Sequence, residues 1–214
     1  LLWMKSYVDG MRSFFYYIVS CRTRALLAQS QEERELYNDM FELMTPLIKD
    51  YLSVHGHEVC VQAIQVFGGA GYCKDYPVEQ YARDCKITSI FEGTSGVQAM
   101  DLLGRKMGMK KGAVFMYFLS EIQKVIATAK GIEGLEGLAA NLEKTINRLG
   151  EVAMHLGKTA MSLDFKVAFA NAMPFLDVMG DVIMAWMLLW RANIAAPKLK
   201  ELVGDAQGDA RLEI

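Results

Sequence analysis

The stretch from Gln65 to Lys106, QVFGGAGYCKDYPVEQYARDCKITSIFEGTSGVQAMDLLGRK, decides how the rest of the chain is read. At its centre, Phe91-Glu92-Gly93-Thr94 sets one carboxylate behind an apolar stretch and ahead of a glycine. Upstream stands a second unusual element, Gly68-Gly69-Ala70-Gly71-Tyr72. Between them, Pro77 suits the first position of a helix, predicted to run to about Ser89. Ile90 to Gly93 breaks it. Thr94 or Ser95 is then placed to cap a helix from about 96 to 107. No segment shows the two-residue alternation of a strand.

Working outward, the flanks read as helices that hold these two pieces. Residues 2 to about 28 carry apolar positions at Trp3, Tyr7, Met11, Phe14, Phe15, Ile18, Val19, Leu26 and Leu27, mostly at steps of three and four. Gln29 to Glu33 reads as a connection. A second helix is predicted over 35–54, with Pro46 inside it and Glu42, Lys49 and Asp50 mostly on its outer side. His55-Gly56-His57 punctuates the chain, and a third helix over 58–67 ends at the glycines. Downstream, Gly108 to Gly112 reads as a connection and a boundary. Helices follow over 113–130 and 138–163, the latter with Leu142, Ile146, Leu149, Met154 and Met161 on its apolar face. A last helix over 165–195 is expected to kink or divide at Pro174 and is apolar nearly all round from Phe175 to Trp190. The fold class expected is all-α: two successive helical bundles, residues 1–110 and 111–214.

Net charge is −2, so no basic field invites nucleic acid or an anionic surface. Apolar residues make up 52%, with 14 Met, which implies much buried helix surface. Cys21, Cys60, Cys73 and Cys85 have no CxxC spacing, so neither a zinc site nor a redox pair is indicated and reduced thiols in a cytoplasmic protein are expected. Asp177 and Asp181 argue against a membrane span in the Pro174 to Trp190 stretch. The chain begins as if in mid-helix and ends at Ala206 to Ile214 without a cap, which reads as a piece of a longer protein.

Local pattern leaves the chemistry open. The GGAGY element lacks both Walker spacing and a preceding strand, and alone it reads as a helix end followed by a tight loop. Glu92 reads either as a first-turn acid steadying a helix, or as a base made effective by apolar walls. His55, His57 and Glu58 make no ligand set, and turn or capping roles are expected for the histidines. His155 reads as structural, Asp177 and Asp181 as solvent-facing or paired, and Arg83-Asp84 as an ion pair.

Taken together, the two elements resemble the C-terminal signature of the flavin-dependent acyl-CoA dehydrogenase family. The resemblance rests on Gln65, Gly68, Gly69, Gly71, Tyr72, the run Tyr76 to Glu79, Arg83, Asp84, Lys86, Ile87 and the run Phe91 to Thr94, in family order and spacing. It implies that residues 1–110 are that family's C-terminal four-helix domain. The second half, residues 111–214, looks like the added helical region of a bacterial subgroup, which includes the 3-methylmercaptopropionyl-CoA dehydrogenases, and the phrase EGTSGVQAMDLLGRK at 92–106 is similar to that subgroup's. The resemblance implies Glu92 as the base that removes an α-proton from an acyl-CoA while the β-hydride goes to FAD. It implies Gln65, Gly68 and Gly69 against the ADP part of a neighbouring subunit's FAD, Thr94 on FAD, and Gly96 where many members carry a polar Gln. Phe91 replaces the commoner Tyr. The implied partners are an acyl-CoA substrate, an electron-transfer flavoprotein and further copies of the chain, as a homodimer or dimer of dimers, with no metal. The piece alone is expected to be inactive. An acyl-CoA oxidase of the same fold and a non-catalytic helical assembly module stand as alternatives.

Overall fold

The computed structural model describes residues 1–203, so residues 204–214 of the second predicted domain, with the Ala206 to Ile214 end, lie outside the described residues. Helix α1 spans Leu2–Leu27. Ser30 then caps α2, its Oγ accepting from the Glu33 N–H at 3.1 Å, and α2 spans Gln31–Phe67. Gly68, at φ 63°, ends α2, and Gly69–Tyr72 forms the single turn α3. Helix α4 covers Val78–Lys86, with a 3₁₀ turn at Ile87–Ser89. Helix α5 covers Ser95–Asp101 and continues as a π-helical turn through Leu102–Lys106. The remaining helices are α6 Ala113–Ala129, α7 Glu136–Ala160, α8 Phe165–Ala170 and α9 Ala172–Val203. The described residues contain helices and no strand, so the all-α expectation holds.

The predicted break at His55-Gly56-His57 does not occur. α2 runs through it, because all three residues have helical work to do. His55 Nδ1 bonds Glu58 Oε2 at 2.6 Å, and His57 Nδ1 bonds the Ala82 carbonyl at 3.1 Å. A side chain at Gly56 would lie 3.5 Å from Cys85 Sγ, so the glycine sits where α4 approaches. The histidines are therefore neither turn nor capping residues. Arg83 pairs with Glu79 at 2.9 Å instead of Asp84, as helical geometry dictates for residues four apart rather than adjacent.

The polar face assigned to α2 is partly inside. Asp50 is buried, and Glu42 holds the buried Lys106. Conversely, some apolar residues assigned inward face out: Phe15, Val19, Leu26 and Leu27 on α1, and Met154 and Met161 near the end of α7. The inward stripe of α1 is Met11, Phe14, Ile18 and Cys21.

α9 is the centre of the packing, against α1, α2, α5, α6 and α7. Leu176, Met179 and Ile183 are fully buried, and one continuous core runs across the 108–112 connection. The chain divides between α8 and α9 at Asn171, leaving Pro174 in the first turn of α9, where a missing N–H costs nothing. Among the described residues, only α9 is long and apolar enough to cross a membrane, and 61% of its most apolar window is buried against the rest of the chain.

Where α9 meets α2, Tyr51 lies against Gly180 and donates its hydroxyl to Asp181 Oδ1 at 2.6 Å. Burial, then this bond, pushes the Tyr51 phenol far up. Asp177, one turn before Asp181, keeps solvent contact, yet partial burial and then the Asp50 charge push its carboxyl above the ordinary 3.8. A carboxyl raised in the folded state makes the ionised form a net cost. That cost is present above the folded pKa and vanishes below the unfolded one. Asp177→Asn is therefore expected to raise the melting temperature at pH 7, and the gain should shrink to nothing as pH falls below 3.8. Melting curves against pH check this; a gain independent of pH would assign it to packing instead.

Candidate active site

The Glu92 turn begins where the 3₁₀ segment closes. The N–H groups of Ile90 and Phe91 both donate to the Ile87 carbonyl, at 2.9 and 3.2 Å. The backbone then reverses through two consecutive left-handed residues, Glu92 at φ 59° and Gly93 at φ 95°. Gly93 suits that conformation, but Glu92 is held in it at a cost of about 1–2 kcal/mol. Thr94 returns to extended geometry as the N-cap of α5, with no side-chain capping bond. Glu92 thus stands two residues outside the helix, which removes its reading as a first-turn acid.

Two side chains hold the turn from behind. Gln98, buried on α5, donates from Nε2 to the Glu92 carbonyl at 3.2 Å. Lys49, on α2, donates from Nζ to the Gly93 carbonyl. A Cβ on Gly93 would come within 2.8 Å of Gln98 Nε2 and push that amide from the Glu92 carbonyl, while the φ of 95° itself favours glycine. Sequence reading missed both side chains. A signal existed for Lys49: it has no acidic residue three or four positions away on its helix, the usual place for a partner.

Glu92 itself is exposed, as are Phe91, Thr94 and Gly96. Ile90, Phe91 and Val97 are about half exposed. The apolar walls that would make this carboxylate a better base are therefore not completed by the described residues. Among the described residues, the N–H groups of Glu92, Gly93 and Thr94 have no hydrogen-bond partner.

The glycine element lies elsewhere. Gln65 is on the last exposed turn of α2, sixteen residues beyond Lys49, about 24 Å along the axis at the helical rise. The structure brings Gln65, Gly68 and Gly69 together at one end of α2. It places Glu92, Thr94 and Gly96 beside the middle of the same helix, so the two groups do not form one compact site. The glycines also differ in their reasons. A Cβ at Gly71 would meet Phe67 Cβ at 2.6 Å and the Ile64 carbonyl at 2.7 Å, a packing demand. At Gly68, Gly69 and Gly96 no non-neighbouring described residue lies within 4 Å of that position, leaving bare backbone open to close approach from outside. Among the described residues, no three His, Cys, Asp or Glu side chains gather as metal ligands would.

Residues 18–107 match the family model described as acyl-CoA dehydrogenase, C-terminal domain, and residues 118–212 match one described as acetyl-CoA dehydrogenase C-terminal like. A butyryl-CoA dehydrogenase of Syntrophomonas wolfei is 36% identical over 211 residues, covering 98% of this chain and 34% of the relative. A 3-methylmercaptopropionyl-CoA dehydrogenase of Ruegeria pomeroyi is 33% identical over 184 residues, covering 83% of this chain and 30% of the relative. The chain thus spans about a third of the length of the curated relatives it matches. In fold it is similar to Caenorhabditis elegans ACDH-11, solved in complex with C11-CoA, with a TM-score of 0.75 at 18% identity over 98% of this chain and 33% of that one.

Proposed function

Since this chain belongs to the acyl-CoA dehydrogenase family, whose C-terminal domain models match both of its halves, we propose that it is the C-terminal part of an FAD-dependent dehydrogenase converting an acyl-CoA to a trans-2-enoyl-CoA. The observation that carries this reading is the Glu92 turn: a carboxylate presented from a left-handed conformation that two other side chains sustain. Such a group, not needed to cap a helix, is free to act on a ligand.

Glu92 takes the α-proton on its carboxylate. The Cα–H electron pair becomes the new C=C bond as the β-hydrogen departs as hydride. Bound FAD supplies the acceptor for that hydride. As the α-proton leaves, negative charge builds on the thioester oxygen and needs donors already in place. The Glu92 N–H, without a partner among the described residues, suits that task. Phe91 contributes apolar surface beside the base, and closure by the rest of the enzyme would exclude water from it.

The open backbones fit a flavin nucleotide. Gln65, Gly68 and Gly69 would hold the ADP part of a neighbouring subunit's FAD, where bare glycine permits close approach. Thr94 and the Gly96 backbone would hold FAD near the base. The separation of the two groups, with Lys49 and Gln65 about 24 Å apart along α2, supports cofactor sites built across subunits, hence a homodimer or dimer of dimers. Electrons would pass on to an electron-transfer flavoprotein, in the cytoplasm. Residues 1–110 and 111–214 are proposed as consecutive helical domains joined at Gly108 to Gly112.

The test uses the full-length protein containing this chain, loaded with FAD and given a panel of acyl-CoAs with a dye acceptor. Dye-dependent enoyl-CoA formation with slow oxygen uptake is expected. Oxygen uptake matching product formation would make it an oxidase. No enoyl-CoA from any chain length would leave a helical assembly module as the reading.

A further inference from the structure

We propose that Lys49 and Gln98 are positioning residues that hold Glu92 in its working geometry, an inference that rests on Glu92 being the base. A left-handed non-glycine residue persists only where its surroundings over-determine it, and here the local backbone does not. Thr94 gives no side-chain cap to α5, and the turn's own backbone bonds stop at Phe91. What remains is the pair of side-chain donors. Gln98 takes the Glu92 carbonyl and Lys49 takes the Gly93 carbonyl.

Those two carbonyls are the right ones to hold. The direction of the Glu92 carbonyl sets ψ at residue 92, and that of Gly93 sets ψ at residue 93. With both fixed, the Cα–Cβ bond of Glu92 and its N–H keep one orientation relative to α2 and α5. The two donors come from two different helices, so the turn is tied to the bundle rather than to itself. α2 is firmly seated at this level, with Leu47 and Tyr51 in the core on either side of Lys49.

Lys49 is also suited electrostatically. Among the described residues it forms no ion pair, whereas Lys5, Lys106, Lys110 and Lys130 do. Its i±3 and i±4 neighbours on α2 are Thr45, Pro46, Leu52 and Ser53, none of them acidic. No carboxylate competes with the Gly93 carbonyl, and a bond from an ammonium is stronger than one between neutral groups. Gln98, with only 9% of its surface exposed, cannot exchange the Glu92 carbonyl for water without cost.

The test pairs this 214-residue chain with the full-length enzyme. In the chain, Lys49→Met is expected to speed amide hydrogen exchange about tenfold at Ile90, Phe91 and Gln98, whose N–H groups close the turn onto the Ile87 and Thr94 carbonyls, the effect of one lost hydrogen bond, while helical circular dichroism stays the same. In the full-length enzyme, kcat should fall on the order of 100-fold with KM within about threefold, because displacing a reacting group by about 1 Å costs that much. Lys49→Arg, which keeps a charged donor, should restore most of the rate. Gln98→Met, similar in length but without the amide, should reproduce both effects and covers the case in which Lys49→Met does not fold. Unchanged exchange at Ile90, Phe91 and Gln98 with unchanged kcat would overturn the proposal. So would a loss of kcat that arginine does not restore, or one accompanied by faster exchange throughout α2 and α5. Absence of enoyl-CoA formation by the unsubstituted enzyme would overturn the base reading itself, and it is told apart because it appears before any residue is changed.

Discussion

Glu92→Gln is expected to slow enoyl-CoA formation by the full-length enzyme by about 10²- to 10⁴-fold, the range for removing a positioned general base. Glutamine keeps the length and branching of the side chain. Nothing in the turn depends on the carboxylate, because Lys49 and Gln98 hold backbone carbonyls and not the Glu92 side chain. The substitution should therefore leave the fold and acyl-CoA binding intact and remove only the proton acceptor. Steady-state kinetics with the dye acceptor read this as a fall in kcat at nearly constant KM. Equal turnover by both proteins would assign the proton to another group. A large rise in KM alone would make Glu92 a binding residue.

The largest expected effect on stability lies at Gly180. A Cβ built there falls 2.0 Å from Tyr51 Cδ2 and 2.4 Å from Cε2. A ring cannot yield as a flexible chain can. Tyr51 would have to swing away, leaving its place between α2 and α9 and breaking its hydroxyl bond to Asp181. Gly180→Ala is expected to cost about 3 kcal/mol, at the top of the usual overpacking range, with the lost buried hydrogen bond adding to it. Gly10 is the internal control. Its added Cβ would meet the thioether of Met184 at 2.9 Å, a movable group, so Gly10→Ala should cost less than about 1 kcal/mol. Urea unfolding of the chain gives both numbers. Equal midpoints for the two variants would mean that α9 shifts away from α2 as easily as Met184 rotates.

Much of the fold was legible because its signals are local. The apolar run from Phe175 to Trp190, apolar nearly all round, indicated a central helix, and Leu176, Met179, Ile183 and Trp186 are in the core, while Val178 and Trp190 keep an exposed face. Gly68 marked a helix end, and its φ of 63° is one that side chains rarely adopt. The misread places are those where distant packing outweighs local preference. Gly56 costs about 1 kcal/mol relative to alanine inside a helix, which suggests a break when α2 is considered alone. α4 packed over it, with His57 bonded to Ala82, keeps the helix whole. Asp50 has the charge of a surface residue, yet is buried with Oδ1 unpaired.

At the candidate site, the spacing of Phe91 to Thr94 indicated a turn with a carboxylate. It did not indicate that Glu92 itself would be left-handed. The reason lies in Lys49, 44 positions from the Gly93 carbonyl it holds, a separation that no helical or strand period can register. Gln98 is nearer, but its polarity beside the buried Ala99 is meaningful only once the carbonyl it meets is known. The exposure of Glu92 was also not foreseen. The apolar walls expected around it are not built by the described residues, where Ile90, Phe91 and Val97 are about half exposed.

The most direct test of Glu92 as the base separates proton removal from hydride departure. An acyl-CoA without β-hydrogens cannot lose hydride, so the full-length FAD-loaded enzyme can only remove and return its α-proton. In D₂O, the wild-type enzyme is expected to exchange deuterium into the α-position, and Glu92→Gln to show no exchange above the uncatalysed rate. Exchange at equal rates by both would contradict the assignment of the base to Glu92.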